Sequence, residues 1–306
     1  ILDAVDSITT PTAGTSNVKL GVNAGNSITS GGNYNVVVGD EAGTALTTGD
    51  QNVFVGYAAG DALTTASRNT AVGDQTLSTD TLGSRSTAIG FGALNVQNFT
   101  TATDSYNVAV GYAAGIAVTT GTNNTLLGGL AGDALTTSNR NTALGYGTLS
   151  ADTLGSHSTA VGNLALVNQN FTTATDTYNT AVGSSAGQEV TTGINNTLIG
   201  ALAGDALTDA DHNTAVGRGS LGADTLGSRA VAVGFGALSS QNFTTATDNY
   251  NVAVGFNAGV LVSTGTNNTF VGGLAGDATD DGNDNVAIGH QALSANAGDD
   301  LSLIHI

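Results

Sequence analysis

Along the chain one short pattern keeps returning: Asn, then Thr or Val, a variable residue, an aliphatic residue and Gly. Its glycine stands at 21, 39, 56, 73, 90, 111, 128, 145, 162, 183, 200, 217, 234, 255, 272 and 289. The steps are 17 residues apart from one of 18 and three of 21, and the longer ones follow Gly90, Gly162 and Gly234. Four rungs therefore make a 72-residue super-repeat, and such fixed periods mark solenoid architectures. No segment carries a 3.6-residue apolar stripe with capping signals, so helices are not expected. The residue before each glycine is aliphatic (Val38, Val55, Val72, Ile89, Val110, Leu127), and two positions earlier stands Thr or Val. Such residues at a spacing of two predict a short strand with both columns on one face. We expect that face, Val182 included, to point inward and the mostly Ala column between to point out. Phe54, Leu126, Leu198 and Phe270 would then form an apolar outer stripe.

The anchor glycines, Gly111, Gly183 and Gly255 among them, are expected at corners, with positive φ or a close backbone approach. Asn stands four residues before the glycine in 13 of the 16 rungs, as at Asn107, Asn179 and Asn251. Stacked in register, these side chains suit an amide ladder. Four residues after the glycine the chain alternates Gly, Gly, Leu, Leu (Gly43, Gly60, Leu77, Leu94), and the Gly rungs carry an aliphatic plug such as Leu46 or Leu63 three residues on. The reading is an all-β fold: a parallel β-solenoid (β-roll) of about 16 rungs over residues 17–300, after a leader at 1–16. The last six residues, Leu301-Ser-Leu-Ile-His-Ile306, match what one reading frame of a transposon sequencing adapter encodes, so 301–306 reads as a non-native tail.

Composition narrows the function. With 24 acidic and 6 basic residues the net charge is −18, which argues against nucleic acid as a partner. The absence of Cys removes disulfides and thiolate metal sites, and no cofactor is expected. No apolar run approaches the roughly 20 residues of a membrane span, so no membrane insertion is expected within this segment. Apolar residues make up 40% of the chain but aromatics only 5%, which suits a coil whose core is one or two side chains wide.

Asn107-Val-Ala-Val-Gly-Tyr-Ala-Ala-Gly115 and Asn251-Val-Ala-Val-Gly-Phe-Asn-Ala-Gly259 resemble the YadA-like head repeats of trimeric autotransporter adhesins. They are equally similar to the Asn-Thr-Ala-Val-Gly repeats of bacteriophage tail fibres. The resemblance covers about residues 17–293. It implies a left-handed β-roll assembled as a homotrimer, extracellular on a cell or virion, which binds a host-cell surface or glycan and is not an enzyme. The chain departs from the adhesins in its longer repeat and its three insertions.

Those insertions are identical at Gln97–Asp104, Gln169–Asp176 and Gln241–Asp248. Each holds a Phe (Phe99, Phe171, Phe243) and is followed by a Tyr (Tyr106, Tyr178, Tyr250). Aromatics beside Thr hydroxyls and a carboxylate suit a sugar; the competing reading folds the Phe back over the coil. Gly217-Arg-Gly-Ser-Leu-Gly222 satisfies the dinucleotide pattern, but equivalent rungs show it to be a variant of the repeat. His157, His212 and His290 do not converge as metal ligands would. Asp280-Asp-Gly-Asn-Asp284 is the best candidate for calcium. An ice-binding face is the alternative function, from Thr pairs such as Thr47-Thr48, Thr64-Thr65 and Thr119-Thr120, which the third and fourth rungs interrupt, and a polysaccharide-active solenoid enzyme is a less favoured third reading.

Overall fold

The computed structural model describes residues 13–295, 298–299 and 301–304; most of the leader and His305 lie outside them. All regular structure among the described residues is β, in strands of two or three residues. They wind as a parallel β-solenoid of about 16 turns with a repeat of about 17 residues. The chain divides into two compact units, Ile1–Arg140 and Asn141–Ile306. In the first, Val18–Leu20, Val36–Val38, Val53–Val55, Thr70–Val72, Thr87–Ile89, Val108–Val110 and Thr125–Leu127 pair in succession. In the second, the strands from Thr142–Leu144 to Val286–Ile288 do the same. Ser302–Ile304, within the segment read as a non-native tail, adds a parallel strand on Val286–Ile288. Every partner lies at the equivalent repeat position, so each sequence column is a physical column.

The period of two holds, but its phase is the reverse of the expectation. Val37, Phe54, Ala71, Ala88, Ala109 and Leu126, the middle residues of their strands, are fully buried. The flanking residues are half-buried or exposed, Ile89 at 37% and Ile199 at 39%. Val182 likewise faces outward and Ala181 inward. Phe54, Leu126, Leu198 and Phe270 are therefore core residues, not an outer stripe. The physical reason lies one position upstream. The Asn four before each glycine is buried, as at Asn107, Asn179 and Asn251, and period-two alternation puts the middle residue on the same inner side.

That Asn column forms the expected ladder. The Asn35 side-chain oxygen accepts from the backbone N–H of Asn52 at 2.9 Å and from its Nδ2 at 3.1 Å. Asn52 Nδ2 also donates to the carbonyl of Ala66 at 2.9 Å. The pattern recurs from Asn107 to Asn124, from Asn179 through Asn196 to Asn213, and from Asn251 through Asn268 to Asn285. A buried amide that meets its partners costs little, whereas an orphaned one is expensive.

The alternation of Gly and Leu at the second corner is a volume exchange. Rungs with a large middle residue, such as Phe54, lie beside Gly43 and Gly60; a Cβ on Gly60 would sit 2.9 Å from the Phe54 ring. Rungs with Ala71 or Ala88 in the middle fill the same space with buried Leu77 and Leu94. The space at the corner is thus filled either by a large middle residue or by the corner Leu. The anchor glycines have φ of +143° at Gly111, +144° at Gly183 and +145° at Gly255, in the region that side chains disfavour. A Cβ on Gly111 would also strike the carbonyl of Gly128, the next anchor glycine.

Candidate functional site

In the third and fourth rungs of each super-repeat, the positions equivalent to the plugs Leu46 and Leu63 are Asp80 and Gln97, both fully buried. Asp80 Oδ1 accepts from the backbone N–H groups of Gly83 and Phe99, each at 3.0 Å, and Oδ2 accepts from Gln97 Nε2 at 2.6 Å. Gln97 Nε2 also donates to Ser86 Oγ at 2.9 Å, and its Oε1 accepts from Asn107 Nδ2 at 2.8 Å. The arrangement repeats at Asp152 with Gln169 and at Asp224 with Gln241, except that Ala230 replaces the serine in the last copy. Burial pushes the carboxyls of Asp80 and Asp152 above the ordinary range, opposed in part by the Gln and backbone donors. These carboxylates lock the insert onto the rung below it.

The insert therefore splits its aromatics. Phe99, Phe171 and Phe243 are buried at about one twentieth exposure. Phe99 lies over Gly83, where a Cβ would sit 2.8 Å from the ring. Of the two readings of the Phe, folding back over the coil is the one the structure shows. The two residues after each insert's Ala pair in parallel with the previous rung, Thr103 with Gly83 and Asp104 with Ser84. Tyr106, Tyr178 and Tyr250 stay outside, each about half exposed.

At the surface each Tyr meets a basic side chain of the preceding rung that the sequence reading had not joined to it or to the insert's carboxylate. Arg85 Nε lies 2.9 Å from Asp104, and its guanidinium sits 5.6 Å from the centre of the Tyr106 ring. In the next super-repeat His157 Nδ1 lies 3.0 Å from Asp176, with the imidazole stacked on Tyr178 at 5.1 Å. Arg229 is 2.9 Å from Asp248 and 5.9 Å from the Tyr250 ring. A basic side chain, a carboxylate and an aromatic face thus meet three times, at a corner whose residues take a left-handed backbone: Arg85 has φ of 64° and Tyr106 of 50°.

The outer face of the sheet is a second candidate surface. Its aliphatic column includes Ile89, Leu144, Ile199, Val254, Val271 and Ile288, each more than one third exposed. The parallel column holds Thr or Val, with Thr142, Thr159, Thr180, Thr197 and Thr214 on five successive rungs. Just past the anchor glycine, Phe91 stacks on Tyr112 and Phe235 on Phe256, each pair at 5.5 Å. The Thr pairs named from sequence do not act together: Thr47, Thr64 and Thr119 donate their hydroxyls to carbonyls of the next rung, while Thr48 and Thr65 are exposed.

Among the described residues no three His, Asp or Glu side chains group closely enough to hold a metal ion. In the calcium candidate, Asp280 accepts instead from the Ser263 hydroxyl. His157 and His212 share the left-handed corner column, three rungs apart, and His290 follows an anchor glycine. Gly217–Gly222 lies in a bend and turn followed by no helix, so it lacks the helix N-terminus a dinucleotide needs. No helix among the described residues is long and apolar enough to cross a membrane. Comparison with family models, with curated proteins and with solved structures finds no match.

Proposed function

We propose that the chain is a segment, shaft or head, of a homotrimeric surface fibre, displayed outside a cell or on a virion, with a structural and adhesive rather than a catalytic role. The observation that carries this is the half-exposed aliphatic column on the outer sheet face. Single exposed aliphatics are ordinary, but an unbroken column of them favours a partner surface. Copies of the same chain related by rotation would cover it. The stacked Phe91–Tyr112 and Phe235–Phe256 pairs rise beside that column and suit interdigitation with such a copy. The test is light scattering of the native protein: the reading requires a mass near three times 30.0 kDa, and a concentration-independent monomer overturns it. Lys at Val182 and Val216 together should dissociate the assembly while leaving the coil folded.

Ice binding is a second reading of the same face, favoured by the in-register run of Thr from Thr142 to Thr214. The projecting aromatic pairs and the Val residues at Val36, Val53 and Val108 interrupt a flat hydroxyl lattice and weigh against it. Absence of thermal hysteresis at millimolar protein removes this reading.

A further inference from the structure

We propose that each insert, together with the Arg or His one rung before it, forms a subsite for a neutral saccharide. The proposal deepens the fibre reading, on which it rests, by naming the ligand class at one exposed corner. Three comparisons within the chain point to the same residues. First, the middle copy exchanges Arg for His157 yet keeps both contacts, to Asp176 and to the Tyr178 ring. Second, the exposed Thr100, Thr101, Asp104 and Tyr106 recur unchanged in the other two copies, while the buried position between the last two varies as Ser105, Thr177 and Asn249. Third, the residues just before the insert also vary: Asn95-Val96, Val167-Asn168 and Ser239-Ser240. The exposed Thr, Asp and Tyr positions are thus as constant as the buried anchors Asp80, Gln97 and Phe99, and more constant than the position between Asp and Tyr and the residues just before the insert. Nor does the insert need this cluster for anchoring, since buried Phe99 and the Asp80 hydrogen bonds already fasten it.

The chemistry fits a sugar without charge. A half-exposed Tyr ring offers an apolar surface to the C–H face of a pyranose, while its other side rests on the cation. The paired guanidinium and carboxylate hold donors and an acceptor in fixed positions beside it, as a pair of neighbouring hydroxyls requires. In the Arg copies the two charges cancel, and the chain as a whole carries −18. An anionic glycan would meet repulsion with no surplus cation to offset it.

The test uses the full chain in saturation-transfer NMR and calorimetry. The probes are neutral oligosaccharides from mannan, galactan, β-glucan and chitin, with oligogalacturonate and heparin fragments as anionic counterparts. The expected result is binding of at least one neutral probe, weakened by about tenfold or more in the combined variant Tyr106→Ala, Tyr178→Ala, Tyr250→Ala. Tyr57→Ala with Tyr146→Ala, two exposed tyrosines outside the inserts, should leave binding unchanged, and circular dichroism checks that both variants keep the coil. Failure of every neutral probe to bind, tighter binding of an anionic one, or undiminished binding by the triple variant overturns the subsite. Light scattering separates the two readings. A trimer that binds no neutral probe overturns the subsite alone, and a monomer that binds through these tyrosines overturns the fibre alone.

Discussion

Leu198 and Ile199 are adjacent in one strand, similar in size and opposite in direction, so truncating each to Ala measures the phase of the coil. Leu198 is fully buried, and its two methyl groups lie 2.7 and 2.8 Å from the points where Cβ atoms on Gly187 and Gly204 would stand. Those glycines cannot move in to close a void, because backbone holds them in their own rungs: Gly187 donates to Ala203 at 3.0 Å and Gly204 to Ser220 at 2.9 Å. Leu198→Ala therefore loses the transfer energy of its removed carbons and keeps the cavity, at a cost of about 3–5 kcal/mol. Ile199 is 39% exposed. A fully buried side chain of its size is worth about 1.5–3 kcal/mol, so its truncation should cost about 1–1.5 kcal/mol, part of that from lost β preference. Urea unfolding followed by circular dichroism gives both numbers, provided the two variants share one denaturant slope. The measurement belongs at a concentration where light scattering reads a single species, since an assembled outer face would add dissociation to the Ile199 value. An Ile199→Ala cost equal to or above that of Leu198→Ala in the monomer would refute the inward assignment of the middle column.

Three further outcomes follow from the geometry. Asn196→Ala removes the donor to the Ala210 carbonyl and the acceptor for the Asn213 N–H, and should cost about 2–4 kcal/mol in the same unfolding assay. Asp80 and Asp152 have raised values in the fold, so the folded state takes up protons before the unfolded chain does. Their contribution is therefore fully present below the ordinary carboxylate value of 3.8 and is lost as pH rises through the raised folded values. Acidification from neutrality should raise the unfolding midpoint, and the double variant Asp80→Asn, Asp152→Asn should show a flatter slope; an unchanged slope removes these groups as its source. Gln51 is exposed with φ of 59°, so Gln51→Gly relieves a left-handed side chain and should stabilise the coil by about 0.5–1 kcal/mol, read as a higher thermal midpoint.

Requirements that every rung repeats were legible in the sequence. A glycine where backbones meet, an Asn that bonds the next Asn and a fixed step between strands each appear many times over. Phase was not legible from the columns used to judge it. Period-two alternation says which residues share a face but not which face is inside, and the bulk of Val72 and Ile89 beside Ala71 and Ala88 favoured the wrong choice. The Asn column held the missing signal: a ladder shielded from water must lie inside, and Ala71 shares its face with Asn69. Alignment of Asp80 and Gln97 with Leu46 and Leu63 also marked them as interior, against the habit of placing Asp at the surface. At the inserts Tyr106 was visible as a candidate, whereas Arg85 was not. Arg85 precedes it by 21 residues, and only the rung register shows that this distance is a contact.

The four-step cycle of plugs also limits how such a coil can err and how its length can change. Backbone ladders are alike on every rung, so main-chain pairing alone would accept a strand displaced by one, two or three turns. The interior would not accept it, because a one-turn slip puts the Asp80 carboxylate into the apolar socket shaped for Leu63 and strips it of Gln97. A displacement of one whole super-repeat returns each Asp to its Gln and each apolar plug to an apolar socket. Folding errors and viable deletions are thus quantised in the same unit of 72 residues, a ruler on which no finer graduation is marked.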